Sequence, residues 1–412
     1  MTTRDRMLRG NVVGFGLGPI KVPDRASMVT ALCAVAAYGA HTRIGFGFDP
    51  DGTHWTFDPE ALEEWCSEMV TSVAPATAET VPLVVSLHLS LLDSAHPLRL
   101  LIAGDYLIVV TDHALGDPDF IVDAIAEVLS VAAGTAKISN WLHANHHRAP
   151  LPAAARNTFF RRSEAISTAR PRRSARIAGH TSDPVTCPRV RWHAEPAAAA
   201  ASGPLAALEA VRGGSGEGAS ACTAALVVVL RRALRASGIG LHPDSTVVHD
   251  LRRYLPPGGR VAGNFRSTVA LHAPDPNDIT QVGRALELQR STGRPLGALF
   301  LAVSRELVLG RRMRRPREVS VRPRARLIVS DLGADTALDG LRWTVMAERR
   351  SVAFLGNPSG PEDIHVVVVV IANVVHATAS FHGNVFDEHL VQEAMRRAMN
   401  DPLSLVEQHA GG

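Results

Sequence analysis

Two hydrophobic periods alternate along the first 150 residues. Positions 11–17 read as a glycine-punctuated strand, and Val22-Pro23-Asp24 opens a helix that runs to about Tyr38, with proline tolerated in the first turn. Stretches 42–48 and 53–57 flank Asp49-Pro50-Asp51-Gly52, a turn sequence whose glycine accepts positive φ, which predicts a hairpin. A helix is predicted from Pro59 to about Ser72. A second hairpin follows, with strands at 98–103 and 106–111 around Gly104-Asp105, and helical spacing resumes over 119–131.

From about 140 to 204 periodicity is lost among prolines, scattered arginines and an alanine run, a composition suited to a crossover between domains. Regular patterning returns with helices at 205–211 and 219–237, the latter stopped by Gly238 and Gly240. Strands are predicted at 246–250, 267–271, 326–330, 365–371 and 374–381, and a helix at 387–399. No repeat of fixed period is present. The division expected from this pattern is 1–160, a linker over 161–204, and 205–412.

Composition narrows the class without naming it. The 412 residues are 46% hydrophobic and 20% charged, as in an ordinary folded protein and unlike a disordered or coiled-coil chain. A net charge of +3, with three tyrosines and five tryptophans, offers neither a field nor a stacking platform for nucleic acid. Nearly all the positive charge is arginine, Lys21 and Lys137 being the only lysines, a bias read as GC-rich codon usage. The longest apolar run, 366–372, is far short of the roughly 20 residues that span a bilayer. The opening residues lack a signal core, so a cytoplasmic protein is expected. Cys33, Cys66, Cys187 and Cys222 lie far apart without CxxC pairing, which suggests buried thiols rather than a disulfide framework or a zinc site.

Chemistry concentrates at His113-Ala114-Leu115-Gly116-Asp117, between a strand and a helix. An imidazole is the side chain best matched to taking a proton from a hydroxyl or amine near neutral pH, and a carboxylate four residues later suits fixing the turn. The spacing HxxxD alone also fits an ordinary loop histidine. Other clusters have a bland alternative too. His143, His146 and His147 have metal-binding spacing but fit a solvated helix end, and glycine-rich 213–218 lacks the Lys-Ser/Thr of a phosphate loop. The arginine-dense stretches 161–176 and 311–326 suit a solvated surface or a phosphate-docking face.

With Asp250-Leu251-Arg252, Gly263-Asn264-Phe265, Ser330-Asp331-Leu332-Gly333 and the closing strand-and-helix run following in order, the chain resembles the chloramphenicol acetyltransferase-like superfamily. Within it the resemblance is to condensation domains of nonribosomal peptide synthetases and to free-standing polyketide-associated acyltransferases. The family pattern HHxxxDG is altered here: Asp112 stands for the first histidine and Pro118 for the glycine. An acidic Asp112 close by would raise the pKa of His113, and Pro118 requires the turn to be built differently.

The resemblance implies an α/β fold of α+β two-layer sandwiches, two acetyltransferase-like domains forming a V-shaped pseudo-dimer with a tunnel between them. It implies an acyltransferase of secondary metabolism that forms an ester or amide, with His113 as general base. Asp117 would be a structural member of the motif paired with Arg252, or alternatively Arg253, while Asn264 and Ser330 would bind substrate as oxyanion donors. No cofactor would be held. The acyl donor would ride on phosphopantetheine, on an acyl or peptidyl carrier protein from another polypeptide, or on coenzyme A, and the acceptor would be a small alcohol or amine. Neither nucleic acid nor membrane is expected as a partner, and a monomer is expected. The alternative is a catalytically silent condensation-like protein that serves as a scaffold partner, or an imidazole that only orients a substrate for cyclisation.

Overall fold

Two β-sheets organise the chain. The computed structural model describes residues 1–49, 51–92, 96–135, 149–159, 189–212, 219–309, 318–356 and 358–407. The first sheet has five strands, in the order Ser351–Gly356, Val12–Gly18, Tyr106–Asp112, Leu98–Ala103 and Val70–Ser72. Its pairs are antiparallel except the last, which is parallel. The second has six, in the order Arg266–Leu271, Ser245–Asp250, Arg326–Ala334, Asp363–Ile371, Val374–His382 and Pro196–Pro204. There Ser245–Asp250, Arg326–Ala334 and Asp363–Ile371 run parallel, and the outer pairs are antiparallel.

Burial on both faces explains the two continuous apolar runs. In Tyr106–Asp112, Leu107 and Val109 join a core with helices Arg25–Ala36 and Pro118–Ala132, while Ile108 and Val110 pack with helix Val81–Leu89. In Asp363–Ile371, Ile364, Val366 and Val368 face helices Ala219–Ala236 and Glu388–Asn400. The alternate residues Val367, Val369 and Ile371 enter the core of the first sheet. This strand therefore joins the two halves by its own pleat. Gly14 and Gly16 let helix Val81–Leu89 lie directly on their strand, since a Cβ at Gly16 would collide with Val81 and one at Gly14 would press on Val109 O and Val85.

Several expectations need correction. The helix predicted over 59–72 is shorter, Leu62–Met69, and its last residues become strand Val70–Ser72, paired with Leu98–Ala103. Only Gly47–Phe48 and Trp55–Thr56 of the first hairpin pair, and Ala40–Thr42 is a 3-10 turn. The tail of the irregular region is not a linker: Pro196–Pro204 pairs along its whole length with Val374–His382. Helices Val81–Leu89, Ile279–Ser291 and Arg294–Leu309 and strand Ser351–Gly356 were not foreseen. That strand lies late in the chain yet edges the first sheet. Among the described residues no helix is long and apolar enough to cross a membrane.

Candidate active site

The strand Tyr106–Asp112 delivers His113 to the turn that precedes helix Pro118–Ala132. Asp117 is the N-cap, accepting from Phe120 N at 3.2 Å. Pro118 occupies the first helical turn, where its missing N–H costs nothing, so the family's glycine is dispensable in this turn. His113 N donates to Asn11 O at 2.8 Å, and His113 Nδ1 lies 3.0 Å from Gly116 O. A carbonyl can only accept, so Nδ1 carries the hydrogen in that contact. The Nε2 lone pair of the neutral ring is thereby left for other chemistry.

Asp117 is fully buried and held by charge. Arg252 donates to both its oxygens, at 2.9 and 3.0 Å, and Phe265 N donates at 3.0 Å. Burial alone would raise its pKa, but Arg252 and then Arg266 pull it down to about 2. Arg252 also bonds Asp250 at 3.2 Å and Gly263 O at 3.1 Å, and Arg266 donates to both oxygens of Asp119, at 2.6 and 2.7 Å. Two arginines from the second half thus grip the first turn of the helix behind His113. Arg253, the alternative partner, is exposed and lies over the Tyr254 ring, 6.0 Å from its centroid.

The other expected residues are placed differently from one another. Asn264 donates its amide to His113 O at 2.6 Å, with Ala114 O at 3.5 Å, so this side chain holds the turn. Ser330 is buried on strand Arg326–Ala334. Asp112 is buried, accepting from Gly10 N and Ala114 N at 2.8 Å each. Burial raises its pKa against those two bonds. It acts as a backbone clamp where the family has an imidazole. His143, His146, His147, the glycine-rich 213–218, the stretch 161–176 and residues 311–317 of the second arginine stretch lie outside the described residues. Of the last stretch Arg326 is paired with Asp363 at 2.7 Å.

Three features were missed in the sequence. Arg43 is buried and donates to Leu115 O at 2.6 Å and Ala114 O at 3.4 Å. Gly263 makes room for it: its φ is +90°, and a Cβ there would collide with the Arg43 guanidinium. His365, at the head of strand Asp363–Ile371, shares the junction-facing parity of Val367. Burial, and then the nearby His113, lower its pKa to about 4, and its Nε2 has no hydrogen-bond partner among the described residues. The signal was there, a polar residue opening an unbroken apolar run. Third, a cavity of about 220 Å³ lies where strands Ser245–Asp250 and Arg326–Ala334 stop pairing, lined by Thr223, Asp250, Arg253, Arg290 and Asp331 among others. Asp250 ties it to the Asp117 network through Arg252. Among the described residues no cluster could hold a metal ion.

No family model matches the chain, and no curated protein matches it. Solved structures do. The trichothecene 15-O-acetyltransferase of Fusarium sporotrichioides superposes with a TM-score of 0.61 at 10% identity, over 98% of this chain and 92% of its own. The first condensation domain of the calcium-dependent antibiotic synthetase gives 0.55 at 15% identity, over 96% and 90%. The X-domain from teicoplanin biosynthesis gives 0.51 at 16% identity, over 100% and 94%. The described residues have the chloramphenicol acetyltransferase-like fold, the fold of condensation domains and acetyltransferases.

Proposed function

We propose that the protein is a condensation-type acyltransferase in which His113 is the general base. The observation that supports this reading is the contact of His113 Nδ1 with Gly116 O, which holds the ring and leaves Nε2 as its basic nitrogen. Nε2 takes the proton of an acceptor hydroxyl or amine as its oxygen or nitrogen bonds to a thioester carbonyl carbon. The tetrahedral oxyanion then collapses, the carbon–sulfur bond breaks, and Nε2 returns the proton to the departing thiolate. An ester or amide and a free thiol result.

The remaining residues divide the work. Asp117 and Arg252 hold the turn and never touch the proton, and Asn264 fixes the His113 carbonyl. Ser330 is the proposed donor to the oxyanion, a contribution commonly worth about 3 to 4 kcal/mol. The donor arm is phosphopantetheine, on coenzyme A or on a carrier protein, with Arg253 and Arg290 of the cavity facing its phosphate. The likeness in fold to an acetyltransferase and to condensation domains supports the class of reaction; the choice of acyl group belongs to side chains lining the junction.

The test offers acyl-coenzyme A and acyl-carrier thioesters with alcohol and amine acceptors to the wild type and to His113→Ala, and follows thiol release. Loss of general-base help lowers the rate about 10²- to 10⁴-fold. Turnover that survives unchanged in the mutant sinks the assignment. A wild type inert toward every thioester favours the scaffold reading.

A further inference from the structure

We infer that Asp5, on the short helix Thr3–Leu8 ahead of the first strand, is a positioning residue for His113, acting through Arg43. The inference rests on the reading of His113 as the base. Asp5 is 1% exposed and accepts from Arg43 Nη2 at 2.7 Å, while Arg43 Nη1 donates to Leu115 O at 2.6 Å. One guanidinium thus has a carboxylate on one edge and the motif turn on the other. The carbonyl it grips belongs to the Leu115–Gly116 peptide, and the next carbonyl, Gly116 O, receives His113 Nδ1. A shift of the Leu115–Gly116 peptide is passed through Gly116 to the next peptide, whose carbonyl orients the ring.

Asp5 is itself held in place. A capping box ties it to Thr2, with Thr2 N donating to its carboxylate at 3.0 Å and Asp5 N donating to Thr2 Oγ1 at 3.2 Å. Its neighbour Arg4 reaches the other side of the site. Arg4 Nη1 donates to Asn264 O at 2.8 Å, its guanidinium lies 5.2 Å from the Phe265 ring centroid, and Asn264 in turn holds His113 O. The same segment then supplies Gly10 N to Asp112 and Asn11 O to His113 N. A buried arginine without its carboxylate turns toward other acceptors, because a planar fork satisfies only what lies in its plane. Removing the charge of Asp5 therefore frees the Leu115 carbonyl even though no atom of the turn has changed.

The test reads His113 directly. In protein labelled with ¹³C and ¹⁵N in histidine, with His113→Ala to assign the signal, side-chain shifts report the ratio of the Nδ1–H to the Nε2–H tautomer. Asp5→Asn lowers that ratio roughly three- to tenfold, the equivalent of one weakened hydrogen bond, and lowers kcat about ten- to a hundredfold with KM for the donor little changed. Asp5→Glu restores part of both. Arg6→Gly loosens the same helix on its exposed side and moves neither, while lowering thermal stability. Equal tautomer ratios in wild type and Asp5→Asn overturn the inference, as does an equal change in Arg6→Gly. If His113→Ala keeps full turnover, the general-base reading fails, yet the tautomer ratio still decides whether Asp5 sets the ring.

Discussion

A carboxylate with no exposure must be compensated, and Asp117 accepts from four donors: two on Arg252, Phe265 N and Phe120 N. Asp117→Ala strands the Arg252 charge and should cost about 3 to 5 kcal/mol, whereas His113, partly exposed at the turn, can be removed without leaving a buried charge behind. Chemical unfolding of the two variants checks this. Equal loss of stability would mean that the pair is not what holds the turn. Much of this was legible: HxxxD, the Asp-Leu-Arg segment and Asn264 are all short motifs in register with the resemblance. Arg43 was not, because its contacts lie 71 and 72 residues away and nothing in His41-Thr42-Arg43 marks it as different from a surface arginine. Asp5 and His365 escaped for the same reason, their meaning being set by what comes to lie across from them.

Elements show where periodicity succeeds and fails. Helix Pro118–Ala132 has polar and apolar faces and was read within a residue, but helix Val81–Leu89 is Val-Pro-Leu-Val-Val-Ser-Leu-His-Leu, apolar all round, and carries no stripe to read. Strand Pro196–Pro204 failed in the opposite way. Its alanines have low strand propensity, and only the nine-residue pairing with Val374–His382 makes it a strand. The alternating glycines of Val12–Gly18 did leave a trace, and here they receive a reason, the approach of Val81–Leu89. Gly16→Ala should therefore be destabilising, by about 1 to 3 kcal/mol, since its methyl meets the branched end of Val81 on a helix that must shift to admit it. Restoration of stability by Val81→Ala in the Gly16→Ala background would confirm the contact; a Gly16→Ala protein as stable as wild type would show that the helix does not rest on that strand.

Across the whole molecule, imidazoles kept neutral by burial set the response to acid. His249, bonded to Gln289 at 3.1 Å, His365, and His376 on strand Val374–His382 each have a pKa lowered to about 4, with burial the largest cause in each. The unfolded chain takes up protons on these side chains from about pH 6.5 downward, and the folded chain does not until about pH 4. Stability is therefore full above pH 6.5 and falls as the pH drops through that window. Each site contributes on the order of 2 kcal/mol by pH 5. Asp123, whose pKa is raised to about 6 chiefly by burial, works in the opposite direction and offsets part of one histidine. Asp117 adds nothing until the pH falls below about 4, where its own stabilisation begins to be lost. His376 is the informative site, because it is 4% exposed, its Nε2 has no hydrogen-bond partner among the described residues, and Arg350 adds a like charge nearby. Replacing it by leucine should leave stability at pH 7.5 little changed while removing roughly two-fifths of the net loss between pH 7 and pH 5, the Asp123 offset included, as read from urea unfolding midpoints. A wild type equally stable at both pH values would show that these histidines are not held neutral in the folded chain.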